Sequence, residues 1–158
     1  MTKIDNGGIG DPTAYGLVTS ALVTAGDGAT VLPTGLPYAG HGLIVALPEY
    51  GAVLTGSDGP TVAEWVRTVA GAVTGPRLRQ RAFGAWQSDG VTYLDVVEIF
   101  PSDDRDAAVA AGRARNQIAI WDAGRGEEIA TDGDGTLPVE VFDQVSGQTT
   151  LQRRDPGF

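Results

Sequence analysis

The residues able to do chemistry fall in a handful of places. The stretch "RNQIAIWDAGRGEEIA", residues 115–130, sets Trp121 and Asp122 before a glycine turn and Glu127 and Glu128 after it. Carboxylates do general acid–base work when one of them is buried and its pKa is raised. Neighbouring residues on a strand point to opposite faces, so Glu127 and Glu128 cannot converge on one substrate. The stretch therefore reads as the end of a β-hairpin, with Trp121 packed against a helix. Asp95 carries more promise. A hairpin through Asp89-Gly90 puts Asp95 on one sheet face with Trp86 and Tyr93. If that face is covered, the carboxylate needs a partner, and Arg77, Arg79 and Arg81 are at hand. If it is open, an acid bordered by two aromatics makes a binding patch.

His41, the one histidine, lies between glycines in "YAGHGL", near Tyr38. A histidine can act as a general base, but no cysteine, G-x-S-x-G or H-E-x-x-H pattern accompanies it. It reads as a loop or strand-edge residue. "DGDG", 132–135, has the start of a calcium loop, yet Leu137 stands where such a loop needs glycine and Asp143 where it needs glutamate. It reads as a polar turn. "GGIG" and "GDGAT" lack the strand–loop–helix setting of nucleotide sites. "RLRQR", 77–81, reads as local charge balance. No catalytic residue, metal or cofactor is expected. The candidate binding residues are Trp86, Tyr93, Asp95 and Trp121.

The chain has 158 residues, a formal net charge of −9 and no cysteine. That length suits one domain able to bury roughly 68–70% of its unfolded surface. The acidic balance argues against nucleic acid as a partner, since phosphate binding draws on Lys and Arg. The acids are dispersed, which also counts against an acidic DNA mimic. The absence of cysteine excludes disulfides and thiolate metal sites and fits a reducing compartment. The first twenty residues lack a basic start and an apolar run, so no secretory signal is expected, and no apolar run is long enough to span a membrane. Lys3 is the one lysine among eleven basic residues, and 23 residues are glycine, a usage typical of a GC-rich genome.

The elements that must position these residues follow from periodicity. Residues 1–10 read as a flexible arm. Asp11-Pro12 opens a helix whose apolar spacing runs to Ala25. Residues 29–37 form a short extended segment turning at Pro33-Thr34-Gly35. Leu43 to Leu47 is an apolar run suited to a strand covered on both faces, bent or ended by Pro48 and Gly51. Residues 59–76 carry the helical stripe Val62, Trp65, Val66, Val69, Ala70 and Val73, with Thr61 and Glu64 at capping-box spacing. Residues 82–100 make a hairpin that pairs Trp86 with Tyr93. Residues 102–117 form a helix capped by Ser102, with acids in its first turn and arginines in its last. "IAIWD" and "EEIA" are strands. After a loop at 131–136, residues 138–152 are expected to form a hairpin around Ser146-Gly147, followed by a loose tail.

From residue 42 onward the order is β-α-β-β-α-β. The expected fold is α+β: a single sheet with helices on one face in a split, ferredoxin-like order. The N-terminal helix and C-terminal hairpin are additions. The domain is expected to span 11–130, with 131–158 appended.

The segments "AGDGATVLPTGLPYAGHGLIVALPEY", "FGAWQSDGVTYLDVVEIF", "DRDAAVAAGRARNQIAIWD" and "GEEI" resemble, in that order, a family of small proteins of bacteriophages and mobile elements. The likeness runs over roughly residues 17–130 and centres on Tyr93-Leu94-Asp95-Val96 and Asn116-Gln117-Ile118-Ala119-Ile120-Trp121-Asp122. It implies phage origin rather than a particular activity. The expectation is a phage protein that binds another protein, or itself, without catalysis, modulating a host or defence factor in the host cytoplasm. The rival expectations are a virion component, a small enzyme using His41, and a DNA mimic.

Overall fold

The computed structural model describes residues 12–24, 28–55, 59–134, 138–142 and 149–153. The elements in chain order are α1 (Pro12–Val23), β1 (Ala29–Val31), β2 (Leu43–Thr55), α2 (Gly59–Val73), β3 (Gln80–Ser88), β4 (Val91–Phe100), α3 (Arg105–Ala114), β5 (Ala119–Asp122), β6 (Glu127–Ala130), β7 (Pro138–Phe142) and β8 (Thr149–Arg153). The fold is α+β. Its main sheet runs β1-β3-β4-β2-β5-β6, every neighbouring pair antiparallel.

The framework starts with the β3–β4 hairpin. Asp89 and Gly90 take φ of 52° and 77°, the left-handed pair that a two-residue turn between twisted strands requires. The register follows: Ser88 faces Val91, Gln87 faces Thr92, and Trp86 faces Tyr93, as the sequence indicates. β2 pairs with β4 from Leu43 to Thr55, running on through Pro48 rather than ending there. Between Leu47 and Ala52 the register shifts, so that residues 48–51 of β2 stand opposite Asp95 alone. Such an insertion bends the strand and sharpens its twist. Before the bulge the free edge of β2 takes β5, and after it β7, in parallel. β7 and β8 pair antiparallel, with Glu140 opposite Leu151, in the span where the sequence suggested a hairpin. The turn between them, the arm 1–10 and the tail 154–158 lie outside the described residues.

All three helices lie on one sheet face. Val18 and Leu22 of α1 and the expected stripe of α2 share a core with Leu47, Leu54, Phe83, Leu94 and Val96. Trp65 meets Phe83 edge-on with ring centroids 5.9 Å apart, and its indole donates to the Tyr50 carbonyl at 3.0 Å. α3 covers Leu43, Val45, Phe100, Ile120 and Ile129 on the same side. Burying each such side chain contributes about 1.5–3 kcal/mol, which makes this layer the main source of stability. Within it, the Arg115 guanidinium donates to Glu98 at 2.7 Å, tying the end of α3 to β4.

Two helix starts differ from expectation. α2 begins at Gly59, so Thr61 sits inside its first turn and does not cap it; Glu64 instead faces Arg67 at 3.5 Å. α3 begins at Arg105 with Asp104 as N-cap, and that cap makes no side-chain hydrogen bond. Ser102 falls short of the helix because Pro101 and the turn after it occupy the chain first: the Asp104 amide donates to the Pro101 carbonyl.

Candidate binding cleft

The sheet face away from the helices carries the alternate residues Ile44 and Ala46 of β2, Tyr93, Asp95, Val97 and Ile99 of β4, and Ala82, Gly84 and Trp86 of β3. No helix lies on this face among the described residues. The sheet curls instead, and its two flanks rise to form a cleft of about 650 Å³. One flank contributes Thr30 and Trp86; the other contributes Ala119, Trp121 and Glu128; Tyr38 enters from the β1–β2 connection. Two local features help the curl. The β2 bulge increases twist at the centre. Gly42, at φ 143°, brings the chain so close to β4 that a Cβ would stand 2.9 Å from the Phe100 carbonyl oxygen. The Tyr38 hydroxyl then donates to the His41 carbonyl, which pins the connection over the β2 entry.

Trp86 and Tyr93 stack as a cross-strand pair, ring centroids 4.5 Å apart and planes 14° from parallel. Trp86 faces the cleft, while Tyr93 braces it from behind and is not part of the lining. Asp95 lies in the floor, 1% exposed. Its cross-strand neighbour is Gly84, where a Cβ would stand 3.2 Å from Val97 Cγ1, so the floor is closely packed around Asp95. On the opposite flank Trp121 is 39% exposed and pairs across the strands with Glu128. The stretch 115–130 is thus a hairpin end and an aromatic–carboxylate pair at once.

Several expectations need correction. Trp121 does not pack against a helix. Ile120, its neighbour, takes that side and meets α3, and strand alternation turns Trp121 to the cleft. Nor do the three arginines expected near Asp95 reach it. Arg77 donates to the Gly71 carbonyl at 2.8 Å and Arg81 to the Ala72 carbonyl at 2.8 Å, both near the end of α2, where the last carbonyls lack intrahelical partners. Arg79 lies over the Phe100 ring at 4.1 Å.

The remaining acids separate as strand alternation demands. Glu127 faces away from Glu128 and meets Arg125 at 3.7 Å, while Asp122 accepts the Arg125 amide at 3.0 Å. The His41 ring rests on Gly124, whose absent Cβ would stand 2.8 Å from Nδ1. Its side chain makes no hydrogen bond to a carboxylate among the described residues, and it does not line the cleft. In "DGDG", Asp132 pairs with Arg113 at 3.3 Å, and Asp134 exchanges hydrogen bonds with Asn116, its amide donating to Asn116 Oδ1 at 3.2 Å. These side chains latch the loop to the end of α3. Among the described residues no three His, Asp or Glu side chains gather as a metal site would need.

Of the four residues singled out in the sequence, Trp86, Asp95 and Trp121 meet in one cleft and Tyr93 supports it. Tyr38 and Glu128 escaped notice as binding residues. Glu128 had a readable signal, because the glycine turn at 123–126 sets it opposite Trp121. Tyr38 had none, since a connecting segment has no periodicity to report where it folds. No protein-family model, curated protein or solved structure matches the chain. Among the described residues no helix is long and apolar enough to cross a membrane.

Proposed function

We propose that this is a non-enzymatic protein of phage origin that acts by capturing a protein partner in the cleft of its curled sheet. The observation that carries this reading is the convergence of Trp86, Asp95 and Trp121 from distant strands on one recess. Aromatic side chains in a recess supply most of the energy of protein recognition, because they bury large area at little entropic cost. His41 is not part of the lining, so the recess brings no imidazole to its carboxylates Asp95 and Glu128. A volume of about 650 Å³ accepts a few residues of a protruding loop.

The framework beneath it we read as ferredoxin-like. That reading rests on the order β3-β4-β2-β5 with α2 and α3 on one face. The phage assignment rests on the motif resemblance, and with it the expected site of action, the host cytoplasm. Trp86→Ala combined with Trp121→Ala is expected to abolish capture of the partner from host lysate while the thermal unfolding midpoint falls by only a few degrees. Undiminished capture by that folded variant would overturn the cleft as the site. Stoichiometric recovery of the protein in purified virions would assign it to the particle instead.

A further inference from the structure

The lining of the cleft is lopsided in charge. Among the described residues its lining holds two carboxylates, Asp95 in the floor and Glu128 exposed on one flank, and no Lys, Arg or His. The arginines on its own strands and turns are committed elsewhere: Arg79 to the Phe100 ring, Arg81 to the end of α2, and Arg125 to Asp122 and Glu127. Around the acids stand indole and phenol rings, Trp86 on one flank, Trp121 on the other, and Tyr38 between them in the chain's approach to β2. Aromatic faces carry negative potential, and with carboxylates they attract organic cations. The whole chain adds a net charge of −9 to the same sign. A guanidinium suits this lining better than an ammonium, because it is planar, stacks on indole faces and gives up its hydration more readily.

We propose that the cleft receives an arginine side chain carried on an extended loop of the protein partner. This rests on the reading of the cleft as a protein-binding site and adds its chemistry. The guanidinium lies on the exposed Trp121 ring beside Glu128, and the loop that carries it reaches across the cleft toward Trp86. With Asp95 only 1% exposed, that carboxylate acts on the cation through its field and not by contact. Glu128, exposed beside Trp121, makes the direct contact.

The protein has three tryptophans, so an NMR titration reads three indole N–H signals. Trp65, 1% exposed in the helical layer with its indole bonded to Tyr50, is the internal reference. The probes are the capped tripeptides Gly-Arg-Gly and Gly-citrulline-Gly, the second a neutral isostere of the first. The expected result is saturable movement of the Trp86 and Trp121 signals with the arginine peptide, a still Trp65 signal, and roughly tenfold weaker binding of the citrulline peptide. Glu128→Gln, on an exposed edge strand, is expected to narrow that preference to about twofold; Asp95→Asn, if its Trp65 signal is native, narrows it as well. Equal movement with both peptides overturns the cation and leaves a peptide-binding cleft. No movement at Trp86 and Trp121 with either peptide overturns the inference outright. The proposed function itself then stands or falls separately, on partner capture by the double tryptophan variant.

Discussion

Gly112 shows how closely single positions are fitted. It lies in the last turns of α3, and a Cβ there would stand 2.8 Å from Thr131 Cγ2 and 2.9 Å from Ile120 Cγ2. Helix propensity alone favours alanine by about 1 kcal/mol. Overpacking a closed contact costs about 1–3 kcal/mol. Here the clash is with β-branched side chains that have little freedom to move. Gly112→Ala is therefore expected to lower stability by roughly 1–2 kcal/mol, measured by urea unfolding; a gain would show that the helix shifts freely on the sheet. Legibility at this scale was uneven. The shared face of Trp86, Tyr93 and Asp95 followed from the Asp89-Gly90 turn and strand alternation. The side taken by Trp121 did not, since "IAIWD" is apolar on both faces and only the packing of Ile120 on α3 decides it.

Among the elements, the β3–β4 hairpin is the most completely written in the sequence, since one turn fixes nine residue pairs from Gln80↔Ile99 to Ser88↔Val91. Asp89 at φ 52° is its strained point. Asp89→Asn is expected to change stability by less than about 0.5 kcal/mol, and Asp89→Val to cost about 1–2 kcal/mol, because a β-branched residue resists the left-handed region. Equal midpoints for the two variants in thermal unfolding would contradict that account. The helix stripes were legible for the same reason as the hairpin: their period is local. Helix starts were not, because Thr61-x-x-Glu64 and Ser102 satisfy a pattern that the preceding Pro60 and Pro101 override by opening or blocking the first turn. The continuation of β2 past Pro48 was also hidden. It depends on a bulge opposite Asp95 and on two different partners along one edge, β5 and then β7.

Over the described residues the molecule is a helical layer behind a curled sheet whose other face holds an acidic and aromatic cleft. Sequence periodicity tells which residues share a face, yet it carries no record of whether a sheet lies flat or closes toward itself. That is why the candidate binding residues could be named and their common recess could not. With a net charge of −9, association with a basic partner is expected to be steered electrostatically. Raising ionic strength from about 0.05 to 0.5 M should slow the association rate roughly tenfold or more and leave the dissociation rate within about twofold. Stopped-flow measurement with the captured partner checks this, and a salt-independent rate would contradict it. The claim on which all else depends is that the partner sits in the cleft. A photo-crosslinking amino acid placed at Ala39, exposed on the rim of the cleft, and separately at Leu78, 91% exposed between α2 and β3, tests it most directly. Irradiation in host lysate is expected to join the partner to the chain labelled at 39 and not to the chain labelled at 78; crosslinking from 78 with none from 39 would contradict the account.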